Sequence, residues 1–355
     1  MTAARLDAPE AYTEADPTDF LATVEGLPGQ LAEAIAIASA AGPLPGADGV
    51  SSIAVLGMGG SGISGELCRT LLAARARVPV ATIRDYALPA WVGPGTLVFA
   101  VSYSGDTEET LAGFDTAQAR GARIVAITSG GTLAARARAG GHTVVSVPGG
   151  LMPRAALGYV GMPALVVADR MGLAPGLAGD LAEAVAVVGQ RMAECRRTVP
   201  AGGNLAKQLA SRLAGVLPLI WGTEGIAGAA AYRWRCQINE NAKGFAAWAV
   251  FPELNHNEVV GLYGRAEGRE PIGVVVLRHD GEPPRTARRI EATTELVGPS
   301  VAFIEEVHAR GSSEAARLLD LVCVGDLVST YLGILQGIDP APIEAIVRLK
   351  AALGA

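Results

Sequence analysis

Short apolar runs alternate with segments of helical spacing in the first half of the chain. The runs follow one another between residues 53 and 147 and read IAVLG, VPVATI, TLVFAVS, RIVAIT and TVVSV. Apolar runs of this length, separated by helices, are typical of parallel strands that are buried on both faces. The pattern therefore predicts a first domain, residues 46–190, built on a mostly parallel five-stranded sheet with helices on both sides.

A second series of strands and helices follows the linker-like stretch VPAGGN. Its apolar runs read GVLPLIWG, FAAWAVF, IGVVVLR and SVAFIEEV, and a helical portion runs from Leu318 to the C terminus. The phrase VLPLIWGTEGIAGAAAYRW repeats the order of strand, Gly/Thr turn and helix that the first half has. We therefore expect a second α/β domain, residues 200–355, so that each domain is a three-layer αβα sandwich around a five-stranded, mostly parallel sheet.

The N-terminal region, residues 1–45, is predicted to be a tail followed by a helix. Residues 1–16 are acidic and read as a loose tail. After Asp16-Pro17, apolar residues recur at spacings of three and four, at Phe20, Val24, Leu27, Leu31 and Ile35. That spacing predicts one helix, which the Gly- and Pro-rich stretch 42–50 ends.

Composition and charge argue against a nucleic-acid-binding protein and against a membrane protein. Half of the 355 residues are hydrophobic, and the net charge is −6 with no run of Lys or Arg. Both features argue against a surface that binds nucleic acid. The first 20 residues contain no apolar signal core, and no apolar run has the length and uniformity of a membrane span, so we expect a cytoplasmic protein without a membrane partner.

Cysteine and histidine spacing gives no sign of a metal site. The four cysteines show no CxxC pairing and are Cys68, Cys195, Cys236 and Cys323. We interpret them as reduced, partly buried thiols rather than as metal ligands or a disulfide framework. The stretch around His256 has no HxxxH partner, which argues against zinc.

Two loops rich in serine and glycine carry the first candidate chemistry. They read GMGGSGISGEL, starting at Gly57, and SYSGDTEETL, starting at Ser102. Each follows a predicted strand and precedes a predicted helix, and backbone N–H groups at such helix starts favour a bound anion. Hydroxyl groups in the loops add further hydrogen-bond donors, so the pair predicts a phosphate-bearing ligand.

Two other interpretations of these loops remain open at this point. The glycine spacing of the first loop is similar to a dinucleotide fingerprint, but Ser64 takes the place of the third glycine and Arg84 precedes Asp85 after the second strand, which argues against a nicotinamide cofactor. In the second loop, Asp106 or Thr107 could simply cap the following helix. A carboxylate beside a phosphate is unfavourable unless it points away.

A dense group of polar residues lies between Arg233 and Gly261. One part, NENAK, ends a helical segment and contains Glu240, and a second part, ELNHNE, contains His256. Polar groups in so apolar a protein usually belong either to a functional site or to a hydrogen-bond network. A solvated helix-end carboxylate and a structural histidine are the alternatives for these two residues.

Taken together, the motifs resemble those of the bifunctional phosphoglucose/phosphomannose isomerases, a family built from two sugar isomerase (SIS) domains. The resemblance extends from Ile53 to Lys350 and rests on six motifs in order, GMGGSGISG, SYSGDTEET, MPRAALGY, NENAK, ELNHNEVVG and GIDPAPIEAIVRLK. It implies a metal-independent aldose–ketose isomerase of carbohydrate metabolism that acts on glucose 6-phosphate, mannose 6-phosphate or both and needs no cofactor.

The resemblance also implies roles for individual residues. The sugar phosphate would be held by Gly60, Ser61, Ser102, Ser104 and Thr107. Glu240 would be the base that moves a proton between C1 and C2, and Arg154 would stabilise the enediolate oxygen. His256, contributed by the partner subunit of a homodimer, would assist ring opening, with Lys350 as a helper.

The chain departs from the family pattern at two places. Asp106 stands where the family loop has Asn, and the segment Asp339-Pro340-Ala341-Pro342 offers no hydroxyl for discrimination at C2. A non-catalytic SIS sensor of sugar phosphates and an isomerase of another sugar phosphate remain alternatives. A hexosamine synthase is disfavoured, because Thr2 follows Met1 where that class needs a cysteine, and the chain has no room for a glutaminase domain.

Overall fold

A computed structural model gives the fold and describes residues 2–264 and 269–354. Its strands are β1 (Ser52–Leu56), β2 (Val80–Ile83), β3 (Thr96–Val101), β4 (Arg123–Thr128), β5 (Thr143–Ser146), β6 (Leu217–Thr223), β7 (Ala247–Phe251), β8 (Ile272–Arg278) and β9 (Phe303–His308). Its α-helices are α1 (Pro9–Ala15), α2 (Phe20–Glu25), α3 (Leu27–Ala40), α4 (Gly59–Ala73), α5 (Glu108–Ala119), α6 (Gly131–Ala139), α7 (Leu157–Arg170), α8 (Leu177–Cys195), α9 (Leu205–Leu213), α10 (Ile226–Asn241), α11 (Glu258–Leu262), α12 (Pro284–Val297), α13 (Glu314–Leu335) and α14 (Glu344–Ala352).

The chain divides into two compact units, each with one sheet. The first-sheet unit comprises Gly26–Val188 and Gly311–Ala316, and the second-sheet unit comprises Met1–Glu25, Gly189–Arg310 and Arg317–Ala355. These boundaries differ from the expected ones mainly at the N terminus, because residues 1–25 belong to the second-sheet unit.

Residues 3–15, which the sequence suggested are a loose tail, form a 3-10 helix (Ala3–Asp7) followed by α1. Leu6 is fully buried, and the ammonium group of Lys207 donates hydrogen bonds to the Leu6 carbonyl at 2.7 Å and to the Asp7 carboxylate at 3.0 Å. The partner of this segment lies about 200 residues away in sequence, so local composition gives no sign of it.

The single helix expected after Asp16-Pro17 is instead two helices, α2 and α3, interrupted at Gly26. Pro28 lies in the first turn of α3, where its missing N–H is tolerated, whereas the interior of a longer helix would be disrupted there. The Asp16 carboxylate accepts hydrogen bonds from the amides of Phe20 (2.7 Å) and Leu21 (2.8 Å) and so caps α2.

The first sheet confirms the expected five parallel strands, in the order β2-β1-β3-β4-β5. Every neighbouring pair is parallel, and Val55 of β1 lies opposite Phe99 of β3. β1 is flanked by β2 on one side and by β3 on the other. The loops that leave β1 and β3 therefore diverge at the carboxyl edge of the sheet, where open α/β sheets bind ligands.

The second sheet has four parallel strands in the order β7-β6-β8-β9. They correspond to the four apolar runs named from the sequence. The expected fifth strand has no counterpart in the part of the chain that the structure describes, because the chain passes from β9 into the long helix α13.

Helix α13 is 22 residues long, and an 18-residue window within it has a mean hydropathy of 1.8, enough by length and composition to cross a membrane. That window is wholly buried inside the protein, as in a core helix. Two aspartates lie within it. The carboxylate of Asp320 accepts two hydrogen bonds from Arg191, each 2.8 Å, and that of Asp326 accepts bonds of 2.8 and 2.7 Å from Arg233.

Candidate active site

The first loop of the first-sheet unit is shaped by glycines that allow close approach of other backbone. A Cβ on Gly57 would lie 2.9 Å from the Ser61 carbonyl oxygen, and one on Gly60 would lie 2.6 Å from the backbone nitrogen of Arg154. Separations below about 3 Å are too short for a side-chain carbon. Glycine at position 60 therefore lets the segment that carries Arg154 pack directly on the loop.

Arg154 lies in a short 3-10 helix, Pro153–Ala155, and is buried. The amide of Gln30 on α3 donates a hydrogen bond of 2.9 Å to the carbonyl of Ala155. Gly158 allows α7 to approach the backbone of α3, since a Cβ there would be 2.6 Å from Gln30. The sequence reasoning missed Gln30, because its contact joins residues that are 125 positions apart.

The second loop is folded around the hydroxyl group of Ser102. This fully buried oxygen accepts a hydrogen bond from the amide of Gly105 (3.1 Å) and lies 2.9 Å from the Thr107 hydroxyl oxygen. Gly105 has a φ of +83°, which glycine adopts readily. Ser102 therefore organises the turn, whereas Ser104 is exposed and Thr107 is half-buried.

A direct hydrogen bond joins the two loops. The buried hydroxyl oxygen of Ser61 accepts it from the backbone N–H of Tyr103, at 3.0 Å. The structure therefore brings together the predicted phosphate-loop residues of the first-sheet unit at one edge of one sheet, with Arg154 packed against the first loop.

The helices that follow these loops begin without side-chain caps. α4 has Met58 and α5 has Thr107 at the N-cap position, and neither side chain makes a capping hydrogen bond. Capping of α5 by Asp106 or Thr107, one of the two interpretations from sequence, is therefore wrong. Uncapped N–H groups and the helix dipole make such an edge favourable for an anion.

Asp106 caps a different helix. Its carboxylate accepts a hydrogen bond of 2.9 Å from the amide of Thr132, in the first turn of α6. Hydrogen bonds from Thr132 lower the pKa of Asp106. This departure from the family loop thus has a structural role, because the carboxylate is engaged at the start of α6 rather than at the start of α5.

In the second-sheet unit, Glu240 lies in the last turn of α10 and is half-buried. It lines a cavity of about 380 Å³ together with Asn239, Lys243 and the residues Pro342–Ile346 that enter α14. The C-terminal segment that departs from the family pattern therefore contributes one wall of the cavity that contains Glu240.

A buried polar face fixes the end of α10 on α13. Besides the ion pair of Arg233 with Asp326, the Asn241 amide donates a 3.0 Å hydrogen bond to the Ser329 hydroxyl. Gly333 lets the two helices approach, since a Cβ there would be 2.7 Å from the Asn241 carbonyl oxygen. Asn241 follows Glu240 directly, so these contacts fix the backbone from which the Glu240 side chain projects.

Lys350 and His256 do not line this cavity. Lys350 is exposed on α14, four residues and so about 6 Å beyond Ile346 on the same helix face. His256 is exposed at the end of a 3-10 helix, Glu253–His256, which follows β7.

The topology separates Glu240 from His256 within one chain. α10 connects two parallel strands, β6 and β7, and so runs back from the carboxyl edge of the sheet to the amino edge. Glu240, at its end, lies toward the amino edge, whereas His256 follows the carboxyl end of β7. The strand between them, Ala247–Phe251, spans about 13 Å.

Among the described residues, no three His, Cys, Asp or Glu side chains are grouped as metal ligands are. The four cysteines are free thiols; Cys68, Cys195 and Cys323 are buried and Cys236 is partly buried. Burial raises the pKa of Cys68 to about 12, so this thiol stays protonated.

Comparison with known proteins agrees with this architecture. The SIS domain family matches residues 49–148, and the bacterial phospho-glucose isomerase C-terminal SIS domain family matches residues 203–353. A solved glucose-6-phosphate isomerase like protein from Thermus thermophilus has the same fold, with a TM-score of 0.63, 23% identity, and coverage of 94% of this chain and 96% of that one.

Curated relatives are similar over nearly the full length. A bifunctional phosphoglucose/phosphomannose isomerase of Caldicellulosiruptor bescii is 38% identical over 92% of this chain and 97% of its own. One of Thermoplasma acidophilum is 36% identical over 84% of this chain and 89% of its own. These matches confirm the resemblance that six motifs predicted: the chain belongs to the bifunctional phosphoglucose/phosphomannose isomerase family.

Proposed function

We propose that the protein is an intramolecular oxidoreductase that interconverts glucose 6-phosphate and mannose 6-phosphate with fructose 6-phosphate in the cytoplasm. The observation that carries the proposal is the pair of joined loops at the carboxyl edge of the first sheet. Their hydroxyl groups, two uncapped helix starts and the adjacent Arg154 suit a sugar phosphate.

The phosphate group would be bound by the loops of the first-sheet unit. Ser104 and Thr107 retain exposure and can donate hydroxyl hydrogen bonds, while Ser61 and Ser102 hold the loops in shape. Gly60 contributes by keeping the backbone accessible. Because the phosphate is remote from the reacting carbons, this binding energy positions the sugar for the chemical step.

Glu240 is the proposed base. It removes the proton from C2 of the open-chain aldose; the electrons of the C2–H bond form the C1–C2 double bond, and the C1 carbonyl oxygen becomes an enediolate oxygen. The O2 proton then passes to O1, Glu240 returns its proton to C1, and a carbonyl forms at C2. Arg154 stabilises the enediolate charge, and no step needs a metal or a redox cofactor.

His256 is proposed to assist ring opening from the partner subunit of a homodimer, with Lys350 as a helper. The opposite placement of Glu240 and His256 on the second sheet supports this arrangement. One chain places the two residues toward different edges of its second sheet, which favours a histidine from a second copy of the chain.

The test is a direct assay of the chelator-treated protein with glucose 6-phosphate and with mannose 6-phosphate, followed by coupled detection of fructose 6-phosphate. Product from both sugars supports the proposal in full, and product from one fixes the epimer. The lack of a C-terminal hydroxyl near Pro342 makes mannose 6-phosphate the more demanding substrate. No product from either, with binding retained, would overturn the proposal in favour of a sensor or another sugar phosphate.

A further inference from the structure

Lys243 connects the two walls of the Glu240 cavity. It lies just after α10, and its ammonium group donates one hydrogen bond of 2.6 Å to the carbonyl of Glu240 and another of 2.9 Å to the carbonyl of Pro340. The first acceptor belongs to the last turn of α10, and the second belongs to the segment that leads into α14. A single side chain therefore ties together two segments that are about 100 residues apart in sequence.

The backbone of Lys243 is in the left-handed region, with a φ of +51°. Helices often end with a residue in this conformation, and it is usually glycine, because a side chain there costs conformational energy. Glycine is present in this chain one position later, at Gly244. A lysine at the position that favours glycine indicates that its side chain has a use that offsets the strain.

Helix α14 has little packing of its own. The structure describes all nine of its residues, and none is buried. Its first turn nevertheless forms the cavity wall that faces Asn239 and Glu240. Because burial does not hold this helix in place, hydrogen bonds at its base have a large influence on its position.

We propose that Lys243 is a positioning residue, which holds the α14 wall of the cavity against the end of α10. The same two hydrogen bonds hold the segment that leads into the helix that carries Lys350. The inference rests on the proposed function of Glu240 as the base.

The experiment compares Lys243→Gly with the wild-type protein. Glycine relieves the backbone strain, which favours stability. It also removes both hydrogen bonds, which loosens the position of the α14 wall. We expect a melting temperature equal to or above that of the wild type, a kcat lower by about 10- to 100-fold, and a KM that changes little, because misplaced catalytic groups reduce turnover while the phosphate loops are intact. We also expect faster hydrogen exchange over residues 339–354.

Asp19→Gly is the matched control. Asp19 also has a positive φ, of 55°, and also makes a polar contact, an ion pair of 2.7 Å with Arg197, but it does not line the cavity. Its replacement should leave both kinetics and exchange over residues 339–354 unchanged. If Lys243→Gly behaves like this control, the proposal is wrong.

A second variant and a readout that is independent of activity keep the result interpretable. Lys243→Met keeps the side-chain length without the donors and provides the same comparison if the glycine variant does not fold. A wild-type protein that is inactive on both hexose phosphates would overturn the proposed function. Hydrogen exchange still tests the role of Lys243 in that case, because it needs no turnover. Faster exchange in the variant would still support the tie in that case, and unchanged exchange would overturn it.

Discussion

The carboxyl edges of the two sheets have the same backbone plan and different chemistry. Each has a strand, a glycine turn and a helix. A Cβ on Gly57 would be 2.9 Å from the backbone of α4, and a Cβ on Gly222 would be 2.5 Å from the backbone of α10. In the first sheet the neighbouring loop presents hydroxyl groups. In the second, that place is taken by His279, whose Nε2 lies 3.2 Å from the Thr223 hydroxyl oxygen.

The second edge offers fewer donors to an anion than the first, although α10 also begins there without a side-chain cap. His279 accepts a 3.1 Å hydrogen bond at Nδ1 from the amide of Gly281, and burial lowers its pKa, so the ring is neutral. The following helix, α12, is entered through Pro283 and Pro284, which have no N–H to donate. The comparison teaches that the fold supplies an edge, while hydroxyl groups and available amides decide whether the edge binds phosphate.

The largest expected effect is on turnover, and it tests whether proton transfer depends on Glu240 of the second-sheet unit while phosphate binding does not. Glu240→Gln removes the base while preserving shape, so kcat should fall by about 1,000-fold or more with KM nearly unchanged. Steady-state kinetics on glucose 6-phosphate measures both. A near-wild-type kcat would remove Glu240 from the mechanism.

The same variant tests whether His256 acts across a dimer. Glu240→Gln and His256→Ala homodimers should each be nearly inactive, but subunits mixed in equal amounts should regain about one quarter of wild-type activity, because half of the dimers then have one intact site. Activity is measured after unfolding and refolding the mixture together. Mixing without any gain would place His256 in the same chain's site or outside the mechanism.

One glycine at each sheet edge allows the packing of the two edges to be compared by the free energy of unfolding. Gly105 has a φ of +83° and no room for a Cβ beside the Gly130 carbonyl oxygen, whereas Gly225 has a φ of +99° with empty space around it. Gly105→Ala should therefore lower the free energy of unfolding by about 3 kcal/mol or more, and Gly225→Ala by about 1 kcal/mol. Denaturant unfolding gives both values, and equal losses would contradict the close packing of the first edge.

Hydroxyl removal tests which edge binds the phosphate. Replacing both Ser104 and Thr107 by Ala should raise KM by about 10- to 100-fold, since each loses a hydrogen bond to a charged group. Thr223→Val at the second edge is the control and should leave KM unchanged. If the control raises KM and the double variant does not, the phosphate is bound at the second edge.

The smallest effect concerns the cap on α6. The pKa of Asp106 is lowered in the folded state, so its ionised form stabilises the fold above the unfolded pKa, and this contribution is lost as pH falls through the folded pKa. Asp106→Asn keeps an acceptor oxygen and should cost only a few tenths of a kcal/mol at neutral pH. The difference in unfolding free energy between the two proteins should vanish in acid, and a constant difference would show that the charge does not matter.

The sequence was most informative where the signal is local. The five apolar runs of the first sheet and the hydroxyl groups of the Ser102 loop are each visible within a few residues. The fifth strand of the second sheet was expected by analogy with the first half, without an apolar run of its own, and the structure does not contain it among the described residues.

The parts that could not be predicted depend on partners distant in sequence. Asp106 caps a helix 26 residues later, and Lys243 reaches a carbonyl 97 residues away. Hydrophobic periodicity and turn signals report only on neighbours along the chain. Such contacts need the fold itself, which is why the departure at Asp106 was visible in the sequence while its reason was not.

Helix α13 has a consequence for the protein before it is folded. By length and composition alone, an 18-residue window of this helix is apolar enough to cross a lipid bilayer. Asp326, near the middle of the helix, opposes insertion into a bilayer by about 2.5–3.5 kcal/mol, and Asp320, nearer the start, opposes it less. Once the chain has folded, Arg191 and Arg233 neutralise the same two carboxylates in the core. The two aspartates therefore make the helix too polar for a membrane. Their ion pairs allow the same helix to be buried in the interior of the folded protein.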